Sequence, residues 1–423
     1  MLYFKPSRFY ILIFVLLLPT CLQLRGQDTT YLTISEAEQN FVKNNLLVLA
    51  QQFQVNKQTA FIIQAKTIQN PNITANFNLY DPENDIVLHT GPTGQKDFMI
   101  EQLIQLGGKR TINIEKAKLN KTLAEAEMAD LMRNLILSLH TAFYQIYQEN
   151  NYVLKYNRQL QLLDTLIQSY AKQANLGNVA FKDVVRLKST YLKLSAEKSE
   201  SLERMNAAIS QLRVITGLKG QLIPRVEGKT LDTFLKDLVL SDLETLALKN
   251  RPDLLAQNQQ LQVSSLDLKL QQRQRVPDIN LNLSTDQRGG AFRNQVNFGL
   301  NFALPVFNTN RGNILAAEAD LKTANYLLEQ QTLSISSEVT EAYTNMLRSI
   351  TEYKKIKEFY DANFDGMLES VTLNFKKRNL SIIEFVDFLE SYSDGIKELE
   401  RIKSQLAVNA ARINYVTASN LYQ

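Results

Sequence analysis

NPNITANFNLY (residues 70–80) alternates with almost no error: Ile73, Ala75, Phe77 and Leu79 fall on one side of an extended chain, Asn72, Thr74, Asn76 and Asn78 on the other. A period of two marks a β-strand with one dry face and one wet face. The surrounding chain reads mostly as helix, yet the stretch returns half a chain later as VPDINLNLSTD (276–286), with Pro71 matching Pro277, Ile73 matching Ile279 and Phe77 matching Leu283. Its flanks return too. KNNLLVLAQQ (43–52) parallels KNRPDLLAQN (249–258), GKRTINIEKAKL (108–119) parallels TNRGNILAAEADL (309–321), and LGNVAFKDVVRL (176–187) parallels KRNLSIIEFVDF (377–388). The chain therefore reads as a tandem duplication, and the repeat sets the order of its parts.

Each half adds a second strand, DFMIEQLIQL (97–106) and VNFGLNFALPVF (296–307); in the latter Val296, Phe298, Leu300, Phe302, Leu304 and Val306 share a face opposite Asn297, Gly299, Asn301 and Ala303. A long helix follows each pair. Residues 109–176 contain neither Gly nor Pro, and Leu135, Leu139, Ala142, Ile146, Val153, Tyr156, Leu160, Leu163, Ile167, Tyr170 and Ala174 recur at steps of three and four, interrupted by Glu149. A period of about 3.5 residues implies coiled-coil packing, and the rise of about 1.5 Å per residue gives roughly 90 to 100 Å of helix. The second half repeats the device from about Asn313 to Arg378, with Gly366 inside it. Turns near Gly177 and Arg378 send return helices to about Thr216 and Thr417.

The expected segments are a signal peptide (1–26), an N-terminal helical segment (27–69), a first barrel strand pair (70–106), a first long helical hairpin (107–217), an equatorial linker and helix (218–275), a second strand pair (276–307) and a second hairpin (308–423). The leader rests on Lys5 and Arg8 ahead of the apolar run Phe9 to Leu18, which is too short to span a bilayer as a helix. LPTC (18–21) is a loose match to a lipoprotein signal, making Cys21 the candidate for lipidation against a leader removed whole.

Several function classes are disfavoured. The 47 basic and 43 acidic residues are spread evenly, without the basic stripe of a nucleic-acid binder. Cys21 is the sole cysteine, His89 and His140 are far apart, and there is no metal-ligand spacing, phosphate loop or nucleophile elbow, so neither a cofactor nor an enzyme is expected.

Two-faced strands in an exported chain point to a membrane barrel, with Ile73, Phe77, Leu79, Ile279, Leu281, Leu283, Phe298, Leu300 and Phe302 toward lipid. Four strands cannot close, because an open edge in lipid strands backbone donors and acceptors. Two copies would give a barrel filled by its own side chains, whereas three give twelve strands and a wet lumen lined by Asn and Ser. The expected fold is thus mainly α with membrane β: a homotrimer sharing one 12-stranded β-barrel continued by a long α-helical coiled-coil barrel. Two rivals fit less well. A trimeric adhesin would not alternate strand pairs with helical hairpins, and a periplasmic scaffold would not need a lipid-facing alternation.

Over essentially the whole mature length the chain resembles the TolC-like outer-membrane efflux factors, through the duplicated halves, NRPDL (250–254) and ITG (215–217); EQLIQLGGKR (101–110) is most similar to the cation-efflux branch of tripartite RND systems. The resemblance implies a passive trans-periplasmic duct in the outer membrane of a Gram-negative cell, exporting small solutes and, by branch, divalent metal cations. Multidrug or general-solute export is the alternative within the family. It implies as partners a periplasmic adaptor and an inner-membrane RND-type pump that supplies the energy. The family's tip pattern fits Gly177 with Asp183 in the first hairpin and Glu384 with Asp387 in the second, and implies a periplasmic gate of Glu384, Asp387, Arg378 and Asp183, each acid otherwise reading as a solvated helix face. Arg378 stands where the second Gly is expected, so it either alters that turn or pairs with those acids. Asn175, Leu176, Gly177, Asn178, Val179, Asn379, Leu380 and Ser381 would form the adaptor-docking tips, or serve simply as turn formers.

Overall fold

The computed structural model describes residues 29–422 apart from 228–229, 290 and 360–363; the leader and Cys21 lie outside the described residues. Each half runs through the same elements. In the first, α1 (Ile34–Asn44) and α2 (Leu46–Lys66) lead to β2 (Asn72–Phe77) and β5 (Gln95–Ile104), then to α3 (Lys109–Asn175) and α4 (Phe181–Thr216). In the second, α5 (Leu240–Asn250) and α6 (Pro252–Arg273) lead to β7 (Ile279–Arg288) and β8 (Phe292–Asn301), then to α7 (Arg311–Phe359), α8 (Phe364–Lys376) and α9 (Ile382–Thr417). The corresponding α4 and α9 are both 36 residues long. Helix α3, at 67 residues, extends about 100 Å.

Two features were not foreseen. A parallel pair of β1 (Thr29–Leu32) and β6 (Gln221–Pro224) fastens the N-terminal segment to the linker, and a small hairpin of β3 (Tyr80–Asp81) and β4 (Ile86–Val87) sits in the β2–β5 connection.

The four main strands form one antiparallel sheet in the order β2-β5-β7-β8. Its register puts Ile73 beside Ile100, Ile100 beside Leu283 and Leu283 beside Phe298, with Leu281 beside Gln102 and Leu300, and Ile279 beside Ile104. One face is therefore apolar, while Asn76, Asp97, Asp286 and Gln295 fall in register on the other. Thr285 lies among the apolar residues of this face, and three longer polar side chains there each find a carbonyl: Lys96 donates to Thr90 (3.3 Å), Gln102 to Gln69 (3.0 Å) and Gln287 to Gly91 (2.6 Å). Satisfied donors of this kind are compatible with a face that meets hydrocarbon. Leu79 and Phe302 are corrections: Leu79 lies in a bend past β2, and Phe302 follows the end of β8, where the chain leaves the ladder ahead of Pro305.

The helices nearest the sheet keep the same order, α2 on α3, α3 on α6 and α6 on α7. The end helices expose large apolar side chains, Leu46, Phe53 and Ile63 on α2 and Leu315, Tyr326 and Leu333 on α7. Farther along, two separate apolar cores hold the hairpins: an equatorial one around Phe41, Phe143, Ile146, Leu212, Met346 and Leu406, and a distal one around Leu163, Leu187, Phe385 and Leu389.

Candidate functional site

The distal turns are built alike. After α3, Gly177 takes a left-handed φ of 77°, its amide donates to Ala174 (3.0 Å), and the Asn178 amide donates to Gln173 (2.9 Å). After α8, Arg378 takes a φ of 63°, its amide donates to Phe375 (2.9 Å), and the Asn379 amide donates to Asn374 (3.0 Å). Both are Schellman closures. Arg378 thus leaves the turn unaltered, at a left-handed cost of about 1 to 2 kcal/mol that glycine would avoid. Asn175, Leu176, Gly177, Asn178, Asn379 and Ser381 are exposed at the tips, while Val179 and Leu380 are half-buried.

The expected acids do not converge on Arg378. Ser381 caps α9, its hydroxyl accepting from the Glu384 amide (3.3 Å), while the Glu384 carboxylate accepts from the Ser381 amide (2.7 Å). This capping box holds the Glu384 carboxyl below its ordinary pKa, chiefly through the bond from the Ser381 backbone and next through its hydroxyl. Asp387 is exposed one turn on. Asp183 and Arg378 instead both act on the hydroxyl of Tyr170, whose pKa is raised first by burial and then by Asp183, with Arg378 opposing.

Tyr170 leads to a feature that sequence reasoning missed. Its ring, on α3, stacks on Phe375 of α8 at 5.7 Å and 9°, and Phe375 stacks on Phe385 of α9 at 4.2 Å and 10°. Phe375 and Phe385 are buried. The three rings clasp the two hairpins together just inside their turns, a contact between positions about 200 residues apart that no local periodicity reveals. Lys193–Glu390 (3.2 Å), Lys397–Glu197 (2.7 Å) and the buried bond from Ser393 to Gln159 (2.7 Å) continue the seam between hairpins.

The sequence signatures of the two halves act as staples. Asn45, buried at the α1–α2 bend, caps the Leu47 and Val48 amides (both 3.0 Å) and donates to the Ile215 carbonyl (2.9 Å). Gly217 takes a φ of 69° there, and a Cβ on it would meet that of Asn44 at 2.8 Å. In the second half Arg251, 3% exposed, binds Asp253 (2.5 Å) and Glu338 (2.7 Å), and Asp253 also receives Arg133 (3.2 Å). NRPDL thus ties the α5–α6 bend to α3 and α7. Among the described residues no helix is long and apolar enough to cross a membrane, and no group of three or more His, Cys, Asp or Glu could hold a metal ion.

A two-faced antiparallel sheet with free edges, set on helices several times its height, is the architecture to compare with known proteins. The family model for outer membrane efflux proteins matches residues 243–358. The cobalt-zinc-cadmium resistance protein CzcC of Cupriavidus metallidurans is 20% identical over 77% of this chain and 75% of its own. The outer membrane protein TolC of Escherichia coli is 21% identical over 66% of this chain and 60% of its own. The crystal structure of CusC superposes with a TM-score of 0.75 at 14% identity, covering 95% of this chain and 96% of its own. Over these spans the chain is similar to outer membrane efflux proteins, and its fold is theirs.

Proposed function

We propose that three copies of this chain close one barrel and form a passive duct through which an inner-membrane RND-type pump, coupled by a periplasmic adaptor, exports small solutes. The observation that carries this reading is the matched pair of open edges. β2 and β8 end the sheet with unpaired ladder positions, and directly beneath them α2 and α7 end the helical row with exposed Leu46, Phe53, Tyr326 and Leu333. An unpaired strand edge in hydrocarbon costs several kcal/mol per orphaned group, so β2 of one copy seeks β8 of the next, and the apolar helices meet along the same seam.

Three copies of four strands make twelve, wide enough for a wet lumen faced by Asn72, Asn76, Asn280, Asn282, Asn297 and Asn301. In this reading transport is passive, the energy coming from the pump, and the sequence carries no phosphate-binding loop that would argue otherwise. The duct opens where the hairpins end: Asp183, Glu384, Asp387 and Arg378 face the distal entrance, and the exposed tip residues meet the adaptor. Divalent metal cations are the proposed cargo, supported by the relative named for cobalt, zinc and cadmium resistance.

A strain lacking the gene tests the cargo. Zinc, cobalt or cadmium accumulation after a metal challenge, with unchanged tolerance to dyes and antibiotics, is the expected result. Drug sensitivity with normal metal content would overturn the cargo and leave the duct.

A further inference from the structure

The two apolar cores of the hairpins do not merge, and what separates them is a buried polar layer. On α3 the equatorial core ends at Ile146 and the distal core begins at Tyr152; on α4 the gap falls between Leu194 and Met205, and on α9 between Ile396 and Ile402. Within that gap Glu149 is 2% exposed, Ser201 0% and Glu400 5%. Glu149 is the residue that breaks the apolar stripe of α3, and it accepts from Ser201 (2.5 Å) and from Arg204 (2.8 and 3.2 Å) on α4. Glu400 accepts from Asn151 (2.6 Å) on α3 and from Lys403 (2.8 Å). The Tyr152 hydroxyl donates to the Lys397 carbonyl (2.7 Å).

From this geometry we infer that the Glu149–Ser201–Glu400 layer marks the inner limit of the movable part of the hairpins. The inference rests on the duct reading for what the motion accomplishes, but the layer itself is a property of the chain.

The physical argument has two parts. Interdigitated apolar packing transmits displacement, because every side chain shares neighbours with the next. Where packing gives way to a plane of charges and hydroxyls, that transmission stops, and water can replace each hydrogen bond that a tilt of the helices breaks. Each of the two buried carboxylates also carries its own cation within its hairpin: Arg204 accompanies Glu149 on the first, and Lys403 accompanies Glu400 on the second, while the Lys397–Glu197 pair that crosses between hairpins is partly exposed on both sides and can part into water. Separating the hairpins therefore leaves no buried charge unpaired, which would otherwise make the layer the costliest place to part. The distal core, with its aromatic clasp, can open as one unit while the equatorial core stays shut. Glu149 and Glu400 are positioning residues in this scheme, acting on the tips through the helices that carry them.

Native-state hydrogen exchange on the full-length protein in detergent tests the layer without reference to transport. Backbone amides of α3, α4 and α9 on the distal side should exchange faster than those on the equatorial side by about tenfold or more, with the step at residues 147–151, 195–204 and 397–401. Glu149→Leu, Ser201→Ala and Glu400→Leu combined should fuse the cores and erase the step; Glu149→Gln, which keeps an acceptor for Ser201, should preserve it. Protection that declines smoothly toward the tips, or a step that survives the triple substitution, would overturn the inference. Conductance in planar bilayers then addresses the role of the layer: the triple variant should open less often than the unsubstituted protein. If neither protein conducts under any condition, the duct reading fails while the exchange step still judges the layer. Equal opening in both would leave the duct standing and remove the layer from its gating.

Discussion

Tyr170→Ala isolates the contact that holds the hairpins closed at their tips. The ring is half-buried on α3 and stacks on Phe375 of α8 at 5.7 Å, so its loss removes a bridge between hairpins without touching either turn. The stack is worth about 0.5 to 1.5 kcal/mol beyond burial, and the buried part of the ring about 1 kcal/mol more. A total near 2 kcal/mol shifts the closed-to-open ratio roughly thirtyfold, since about 1.4 kcal/mol is a factor of ten. Alanine is the strongest helix former, so α3 itself persists. Single-channel recording in planar bilayers should show an open fraction raised by that order, and Tyr170→Phe, which keeps the stack, should leave it unchanged. A double-mutant cycle with Phe375→Leu should give a coupling of about 1 kcal/mol. An unchanged open fraction in Tyr170→Ala, with zero coupling to Phe375, would refute the clasp.

Other substitutions test neighbouring parts of the structure. Arg378→Gly should relieve the left-handed strain at a φ of 63° and stabilise the second turn by about 1 kcal/mol, seen as slower exchange of the Arg378 and Asn379 amides. Because the Glu384 pKa is lowered in the folded chain, its capping contribution is complete above the ordinary value of 4.5 and is lost as pH falls through the lowered value. The first turn of α9 should therefore fray on acidification below 4.5, and Ser381→Ala should fray it at neutral pH, both read by exchange at Phe385. Arg251→Met should destabilise the solubilised protein by about 3 kcal/mol, because Asp253 and Glu338 lose the cation between them, and thermal unfolding would show it.

Much of this architecture was legible from one chain. The period of two in NPNITANFNLY and its echo at 276–286 located the strand pairs, and the span free of Gly and Pro from 109 to 176 located the long helix. Strand ends were less legible: β8 was expected at 296–307 but runs over Phe292–Asn301, because the alternation of apolar residues continues past the last ladder bond. The site was read in part. Gly177 marked the first tip, but Arg378 concealed an identical closure behind an unfavourable residue type. Ser381 followed three residues later by Glu384 spells a capping box, a signal present in the sequence and read there as part of a gate. The Tyr170–Phe375–Phe385 stack had no such signal, since it depends on how two hairpins lie against each other.

Native mass spectrometry of the detergent-extracted protein is the most direct test of closure by several copies. Three chains per particle would supply twelve strands and satisfy both edges of the sheet seen here. A stable single chain in detergent, its β2 and β8 edges unpaired, would contradict the shared barrel and the duct built upon it.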